Sequence, residues 1–414
     1  MTTYTTCDAV TDKTSPRVWL TIGLCFLVAL MEGLDLQAAG IAAPGMAAAL
    51  AFEQGQMSWI FSAGILGLLP GAFGGGWLAD RIGRKKVLIG SVVLFGVFSI
   101  VSALAWDYTS MLTARFLTGV GLGAALPNLI ALTSEAAGPR LRGTAVSLMY
   151  CGVPIGAAVA ALIGMADFAS GWATVFWVGG IVPLLIVPLL ALFLPESDDF
   201  REQQARQLSK GAEARTPVLQ GLFAHGAALP TLLLWLSYFF TLLVVYMLIN
   251  WLPSLLVGQG YSRSEASGVV FSLQIGAAIG SLFLGAMMDR LRPLLMAALI
   301  YLGMLGSLAA LGLSNAFSSM LVAGFLAGFF ATGGQCVLYA LAPLFYRTDV
   351  RATGVGSAVS VGRLGAMSGP LVAGKMLALG GGTAGVMLAA APGIVVAAIA
   401  VFYLLAKRDR LAQE

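Results

Sequence analysis

A short charged motif between two apolar stretches occurs twice in this chain, and this repeat constrains the fold more than any other feature. The first copy reads Gly-Trp-Leu-Ala-Asp-Arg-Ile-Gly-Arg-Lys-Lys over 76–86, and a weaker copy reads Gly-Ala-Met-Met-Asp-Arg-Leu-Arg over 285–292. The offset from Asp80 to Asp289 is 209 residues, and it also carries the triplet 142–144 (Arg-Gly-Thr) onto 351–353 (Arg-Ala-Thr). Two loops in one register indicate two related halves of about 200 residues. A duplicated apolar chain with short basic loops is typical of secondary transporters.

The composition indicates that lipid surrounds most of this chain. Hydrophobic residues make up 59% and charged residues only 10%, and the mean hydropathy is +0.91, whereas soluble proteins carry about a quarter charged residues. One span needs roughly 20 apolar residues. Twelve spans are predicted, at 18–43, 57–79, 87–105, 109–132, 143–165, 172–194, 229–257, 266–288, 294–313, 317–343, 353–378 and 385–406. The first is too long for the apolar core of a signal peptide and lacks a cleavage site, so we expect it to remain as a helix.

The basic residues indicate the orientation and the domain boundaries. If the N-terminus is cytoplasmic, the inside loops and tails hold 19 of the 23 basic residues, as the positive-inside rule requires when both termini are cytoplasmic. The predicted order is a cytoplasmic tail, a six-helix bundle, a cytoplasmic linker, a second six-helix bundle and a second tail, over 1–17, 18–194, 195–228, 229–406 and 407–414. This charge pattern gives no indication of nucleic-acid binding.

Several kinds of chemistry find no support in the sequence. The four cysteines show no pairing or metal-ligand spacing, and the only histidine, His225, stands alone in the linker. There is no cluster of His, Cys and Asp and no phosphate-binding loop. We therefore expect no metal, no cofactor and no enzymatic activity.

Two acids and one arginine at membrane depth in the first half predict a proton-handling site. Glu32 and Asp35 stand three residues apart, which places both carboxylates on one face of the first helix. Arg115 is predicted at a similar depth in the fourth helix. An isolated charge at mid-bilayer costs at least ~2.5–3.5 kcal/mol, so such residues are normally functional and paired. Two acids this close do not easily both ionise, so one is expected to carry a proton. The alternative is a static ion pair with Arg115.

Arg363 is predicted near the midplane of the eleventh helix, and the second half has no acid at that depth. A guanidinium group in this position suits the carboxylate of a ligand. Alternatively, Arg363 pairs with Asp35 or Glu32 across the empty cavity. Aromatic and amide side chains in neighbouring segments could bind an aromatic ring and a hydroxyl group; the predicted substrate contacts are Tyr150, Asn250, Trp251, Gln335 and Tyr339.

Three motifs resemble those of the major facilitator superfamily. The segment 76–85 is similar to its signature loop, the spacing Arg115-x-x-x-Gly119-x-x-x-Gly123 resembles its helix 4 motif, and 194–197 (Leu-Pro-Glu-Ser) resembles the end of its helix 6. Within the superfamily, Glu32-Gly33-Leu34-Asp35 resembles the Asp-Gly-x-Asp motif of the aromatic acid:proton symporter family, with Glu in place of the first Asp.

The resemblance implies an all-α fold of twelve transmembrane helices in two six-helix bundles related by pseudo-twofold symmetry. The expected function is uptake of a phenylpropionate-type aromatic carboxylate with protons across a bacterial inner membrane, in support of aromatic catabolism, by a monomer. In this scheme Glu32 and Asp35 handle the proton, Arg115 tunes them and Arg363 holds the carboxylate. The gating residues are expected in the charged loops, where those of the first half latch the outward-facing state: Asp80, Arg81, Arg84, Glu135, Arg142, Asp289 and Arg290.

Two rival functions remain. A proton-driven exporter of aromatic compounds could use the same residues, because the direction of transport is not written in the sequence. A membrane sensor of aromatic acids is disfavoured, because the longest polar loop has only about 34 residues, too few for an output domain of typical size.

Overall fold

The computed structural model describes residues 16–166, 171–196, 228–288, 290–314, 316–335, 338, 345 and 351–411. Within these ranges there are twelve α-helices and no strand. They are α1 Pro16–Leu50, α2 Gln54–Ile82, α3 Arg84–Ala103, α4 Tyr108–Tyr150, α5 Gly152–Met165, α6 Thr174–Phe193, α7 Ala228–Gly258, α8 Arg263–Met288, α9 Pro293–Leu313, α10 Phe317–Ala327, α11 Arg351–Ala378 and α12 Gly382–Leu411. A π-helical turn, Gly328–Thr332, extends α10. Most of the predicted linker, including His225, lies outside the described residues.

The helix boundaries differ from the sequence prediction at several points, among them the end of α1, which continues to Leu50 where the predicted span ends at residue 43, and the region after the fourth span. The predicted loop between the fourth and fifth spans, 133–142, is helical and belongs to α4. The apolar spans nevertheless remain separate, at Tyr108–Ala137 and Thr144–Met165. Hydropathy predicts only the apolar segments that can lie in lipid. A helix can continue through a polar segment, because its backbone hydrogen bonds are satisfied within the helix.

Eleven helical segments of the described chain are long and apolar enough to cross a membrane. The segment that falls short is α11, which contains Arg363 and Lys375 and several glycines. It nevertheless packs closely within the second half, because Gly365 lies against the backbone of Phe239 in α7. Protein neighbours therefore cover much of the polar and small-residue surface of α11.

Helix packing repeats between the halves with the offset found in the sequence. Gly33 of α1 lies against the backbone of Val153 in α5, and adding 209 to each number gives Leu242 of α7 and Gly362 of α11, which also lie in contact. The same relation holds for two further pairs of contacts, Gly156–Leu30 with Gly365–Phe239 and Gly71–Val120 with Gly280–Phe329. In each contact a glycine allows two helices to approach closely, which is how helices associate in lipid. The two halves are therefore repeats in packing as well as in sequence.

The halves meet at the end of the bundle that carries the connections 51–53, 259–262 and 379–381, which we call the far end. There, Ser62 of α2 donates a hydrogen bond to the carbonyl of Met367 in α11 (2.8 Å). Ser264, at the start of α8, donates to the carbonyl of Met165 at the end of α5 (3.3 Å). The rings of Phe61 and Trp251 pack edge to face between them, with centroids 5.3 Å apart. The far end is thus closed by contacts between the two halves.

Candidate functional site

The first half contains a buried ion pair at the predicted position. Nη1 of Arg115 donates to both carboxylate oxygens of Asp35 (3.0 and 3.3 Å), and Nη2 donates to the backbone carbonyl of Asp35 (3.3 Å). Asp35 is fully buried and Arg115 is 4% exposed. The guanidinium also lies over the ring of Phe176, 5.4 Å from its centroid. Several charge-assisted hydrogen bonds offset the cost of burying the two charges. Of the two predicted acids, Asp35 is therefore the one that pairs with Arg115.

Ser99 is a further partner of Asp35 that the sequence prediction missed. Its hydroxyl lies 2.9 Å from Oδ1 of Asp35 and 3.1 Å from the carbonyl oxygen of Phe176, and can donate to either. Ser99 is fully buried. One helix, α3, thus connects the acid of α1 to the backbone of α6. A serine in an apolar helix is a weak sequence signal, because most such hydroxyls bond their own helix.

Glu32 lies one helical turn before Asp35 in a different environment. Its side chain is 3% exposed, and its Oε2 atom has no hydrogen-bond partner among the described residues. The charged group that interacts with it is Arg363, from the other half of the molecule. Burying an unpaired carboxylate costs more than burying a neutral carboxylic acid. Glu32 is therefore the acid whose protonation is most sensitive to what surrounds Arg363.

Arg363 lies in α11 and reaches α7 within its own half. Its Nη1 atom donates a hydrogen bond of 2.7 Å to the hydroxyl of Tyr246. The side chain is half-buried. The structure therefore places a guanidinium group and a phenol together at the boundary between the halves, near the acid of α1. A guanidinium group offers a planar pair of donors to a carboxylate.

The remaining residues predicted to contact the substrate do not all lie together: they differ in their location and in their hydrogen-bond partners. Trp251 uses its indole N–H to bond the carbonyl of Pro370 (2.9 Å), and its ring packs at the closed interface. Asn250 is buried and donates to Tyr246 O one turn earlier in its own helix (2.8 Å). Gln335 is 8% exposed, and Tyr150 is half-buried at the end of α4. Tyr339 lies outside the described residues.

A pair of amide side chains joins the halves and was not among the predicted site residues. Nε2 of Gln37 donates to the carbonyl of Ile249 (2.8 Å), and Nε2 of Gln274 donates to Oε1 of Gln37 (2.7 Å). Gln37 is fully buried and Gln274 is 3% exposed. We call Gln37 and Gln274 the amide clasp. It connects α1 of the first half to α7 and α8 of the second.

The charged loop at the opposite end makes contacts inside the first half. Arg84 forms an ion pair with Glu135, and the guanidinium of Arg81 lies 3.9 Å from the ring centroid of Trp77. The carboxylate of Glu196, after α6, accepts a hydrogen bond from the backbone of Lys85 (3.0 Å). Arg290 is exposed, whereas the side chains of Asp80 and Arg142 and the whole of Asp289 lie outside the described residues. The gating role of this set stays a prediction.

Two repeated helical halves, with a buried ion pair in the first half, are the architecture of a secondary membrane transporter. The sequence matches the Major Facilitator Superfamily over residues 25–302 and 234–414, and the chain belongs to that superfamily. The predicted fold class and the expectation that the chain is a transporter and not an enzyme are thereby confirmed.

Individual proteins extend the comparison. The chain is 68% identical over 400 residues to the 3-(3-hydroxy-phenyl)propionate transporter of Escherichia coli (strain K12), covering 97% of each chain. It is 36% identical over 395 residues to the gallate transporter of Pseudomonas putida, covering 87% of this chain and 86% of that one. Among solved structures, a D-xylose-proton symporter has the same fold, with a TM-score of 0.76 at 17% identity over 93% of this chain and 97% of the other.

Proposed function

We propose that this protein imports 3-(3-hydroxyphenyl)propionate, or a closely related aromatic carboxylate, together with a proton across the bacterial inner membrane. The observation that carries the proposal is the 68% identity, over 97% of both chains, to the E. coli transporter named for that substrate. The gallate transporter of P. putida, at lower identity, supports the wider class of aromatic acids. The protein works as a monomer in the lipid bilayer, by alternating access, with both termini cytoplasmic.

Arg363 holds the carboxylate of the substrate in this proposal. Its guanidinium group stands at the boundary between the halves beside the hydroxyl of Tyr246. While the substrate is absent, Glu32 interacts electrostatically with Arg363. When a substrate carboxylate takes over Arg363, Glu32 loses that partner, and the cost of an unpaired buried charge favours its protonation. Substrate binding and proton binding then support one another.

Asp35 and Arg115 form the second proton-handling element. Nη1 of Arg115 donates to both carboxylate oxygens of Asp35. Release of that contact during the conformational change would leave Asp35 buried without its counter-charge and ready to take a proton. Glu32 and Asp35 therefore respond to different events, the first to substrate and the second to conformation.

The closed far end assigns a conformational state once the orientation is included. With both termini cytoplasmic, the far end faces the periplasm, so this structure is closed on the periplasmic side. In the outward-facing state the opposite end closes, where the charged loops latch the halves through Asp80, Arg81 and Arg84. Contacts within the first half, such as Arg84 with Glu135, then rearrange to meet the second half.

Uptake by purified protein in proteoliposomes tests the proposal. An inward proton gradient should drive accumulation of labelled 3-(3-hydroxyphenyl)propionate, and a protonophore should abolish it. Asp35→Asn should lose accumulation while retaining some exchange of internal for external substrate, because the amide cannot release a proton. An inward gradient that expels preloaded substrate would show an exporter and contradict import. Continued accumulation by Asp35→Asn would assign the proton to Glu32 alone.

A further inference from the structure

A cavity of about 360 Å³ lies between the two halves at the far end, apart from Arg363 and Glu32. Ile41 and Pro44 of α1 and Ile163 of α5 contribute apolar walls from the first half, and Pro253 of α7 closes the side from the second half. Cavities of about 300–1,000 Å³ with mostly apolar walls and a few polar groups are typical ligand sites. The volume is sufficient for a substituted phenyl ring with a short acid side chain.

Two side chains in the wall of this cavity provide specific chemistry. Trp172, just before α6, and Arg263, at the first residue of α8, both line it. They come from opposite halves, and both lie beside Gly45 of α1. A Cβ atom at Gly45 would lie 2.7 Å from Cβ of Trp172 and 3.4 Å from Nη1 of Arg263. The absence of a side chain at position 45 therefore makes room for both groups.

The charge of Arg263 has no acidic partner among the described residues. The carboxylate of Glu265, two residues later, instead accepts hydrogen bonds from the backbone and hydroxyl of Ser262 (both 2.8 Å). A cation at the start of a helix is also disfavoured by the helix dipole, which attracts anions there. A carboxylate in the cavity would be stabilised by the guanidinium group of Arg263.

We propose that this cavity is a second binding site for the transported aromatic carboxylate, with Arg263 pairing with the carboxylate and Trp172 contacting the ring. The identity of this ligand rests on the proposed function. An indole ring offers a large apolar face to an aromatic ligand. The walls of the site come from both halves, so the site is complete only while the far end is closed. A ligand bound there consequently stabilises the closed far end, because it binds that state better than the open one.

Site-directed alkylation tests the second site. Ala166 is exposed and lines the cavity, so Ala166→Cys, with the four native cysteines replaced by alanine, places a small reporter in its wall. Saturating 3-(3-hydroxyphenyl)propionate should slow alkylation of the reporter at least fivefold, whereas the primary amide of the same compound should have little effect. Adding Arg263→Gln should reduce the protection below twofold.

Lys375→Gln is the matched control, since Lys375 is an exposed cation near the far end that does not line the cavity. The protection should survive this change. Protection that persists with Arg263→Gln would come from a conformational change at the central site and would overturn the proposal, as would the absence of protection. Uptake by the same vesicles is scored separately. Normal uptake without Arg263-dependent protection rejects the second site alone, whereas Arg263-dependent protection without uptake rejects import and supports the site.

Discussion

At the scale of single residues, the buried carboxylates differ in how completely their bonds are satisfied. Asp35 receives donors from Arg115 and from Ser99, whereas one oxygen of Glu32 has no partner among the described residues. The two carboxylates therefore differ although they lie one helical turn apart: Asp35 is paired, whereas Glu32 has an oxygen atom that is free to accept a further hydrogen bond. The difference arises because Ser99 of α3 and Arg115 of α4 donate to Asp35 and not to Glu32.

Ser99→Ala should impair proton-coupled transport through its effect on Asp35. A hydrogen bond to a charged group is worth about 1.5–3 kcal/mol, so we expect the initial uptake rate to fall tenfold or more. Ser102→Ala is the control on the same helix, because Ser102 is equally buried but its hydroxyl donates to the carbonyl of Phe98 in its own helix (2.9 Å). It should change the rate less than twofold. Equal losses in both variants would show that the Ser99 hydroxyl has no special role.

Arg363→Ala should weaken binding of the aromatic acid by several kcal/mol, as loss of a desolvated charge partner typically does. Arg363→Lys keeps the charge but loses the planar pair of donors, so binding should weaken there too. The amide analogue of the substrate should bind the wild type poorly and lose little more in Arg363→Ala. Calorimetric titration of the purified variants measures these differences. Normal affinity in Arg363→Ala, together with loss in Arg115→Ala, would exchange the roles of the two arginines.

The sequence predicted these charged residues but left open which acid each arginine contacts. Glu32, Asp35, Arg115 and Arg363 stand out because ionisable groups are rare at membrane depth. The pairing of Arg115 with Asp35, rather than with Glu32, depends on the rotation of α1 and α4, which an apolar pattern does not specify. Ser99 was not predicted, because a serine in an apolar helix usually bonds a carbonyl of its own helix and its sequence context does not indicate another partner.

At the scale of helices, glycines determine how close α1 and α5 can lie, and hence where the acids of α1 are held. The helices themselves were predicted from the lengths of the apolar stretches, and the superfamily fold is confirmed. The helical residues 133–142 were missed, because a polar stretch with basic residues was interpreted as a loop. The π-helical turn Gly328–Thr332 was also not foreseen, since it preserves the apolar pattern of the helix.

Gly156→Ala should destabilise the first half. The added Cβ would lie 2.7 Å from the carbonyl carbon of Leu30 and 2.9 Å from the backbone nitrogen of Leu34, so α1 and α5 must part. Overpacking of this kind costs about 1–3 kcal/mol, and the midpoint of thermal unfolding in detergent should fall. Gly90→Ala is the control in α3, where nothing lies within 4 Å of the new atom, and the better helix propensity of Ala should leave the midpoint unchanged or higher. A drop in both would argue against the α1–α5 contact as the cause.

At the scale of the whole molecule, the repeat predicted two halves but not the end at which they meet. The inward-facing and outward-facing states contain the same two repeats and the same apolar helices, because alternating access moves each half as an intact body. The sequence pattern therefore does not distinguish the two states. The choice between them rests on contacts such as the amide clasp, whose members are 237 residues apart. No local pattern connects residues at that separation, so the clasp could only be found in the structure.

Removing the amide clasp should shift the protein toward the state with an open far end. Gln37→Leu leaves the carbonyl of Ile249 and the amide of Gln274 without the bonds that Gln37 now makes to them. Unsatisfied buried groups cost about 1–3 kcal/mol each, but water reaches them once the far end opens. The open state should therefore gain at least fivefold in population. Alkylation of Ser58→Cys, whose position is buried against Gly374 of the other half, should accelerate by a similar factor.

Asn128→Leu removes an equally buried amide whose bond stays within α4, so it should leave the alkylation rate unchanged. Equal acceleration in both variants would mean that loosened packing, and not the clasp, controls the far end.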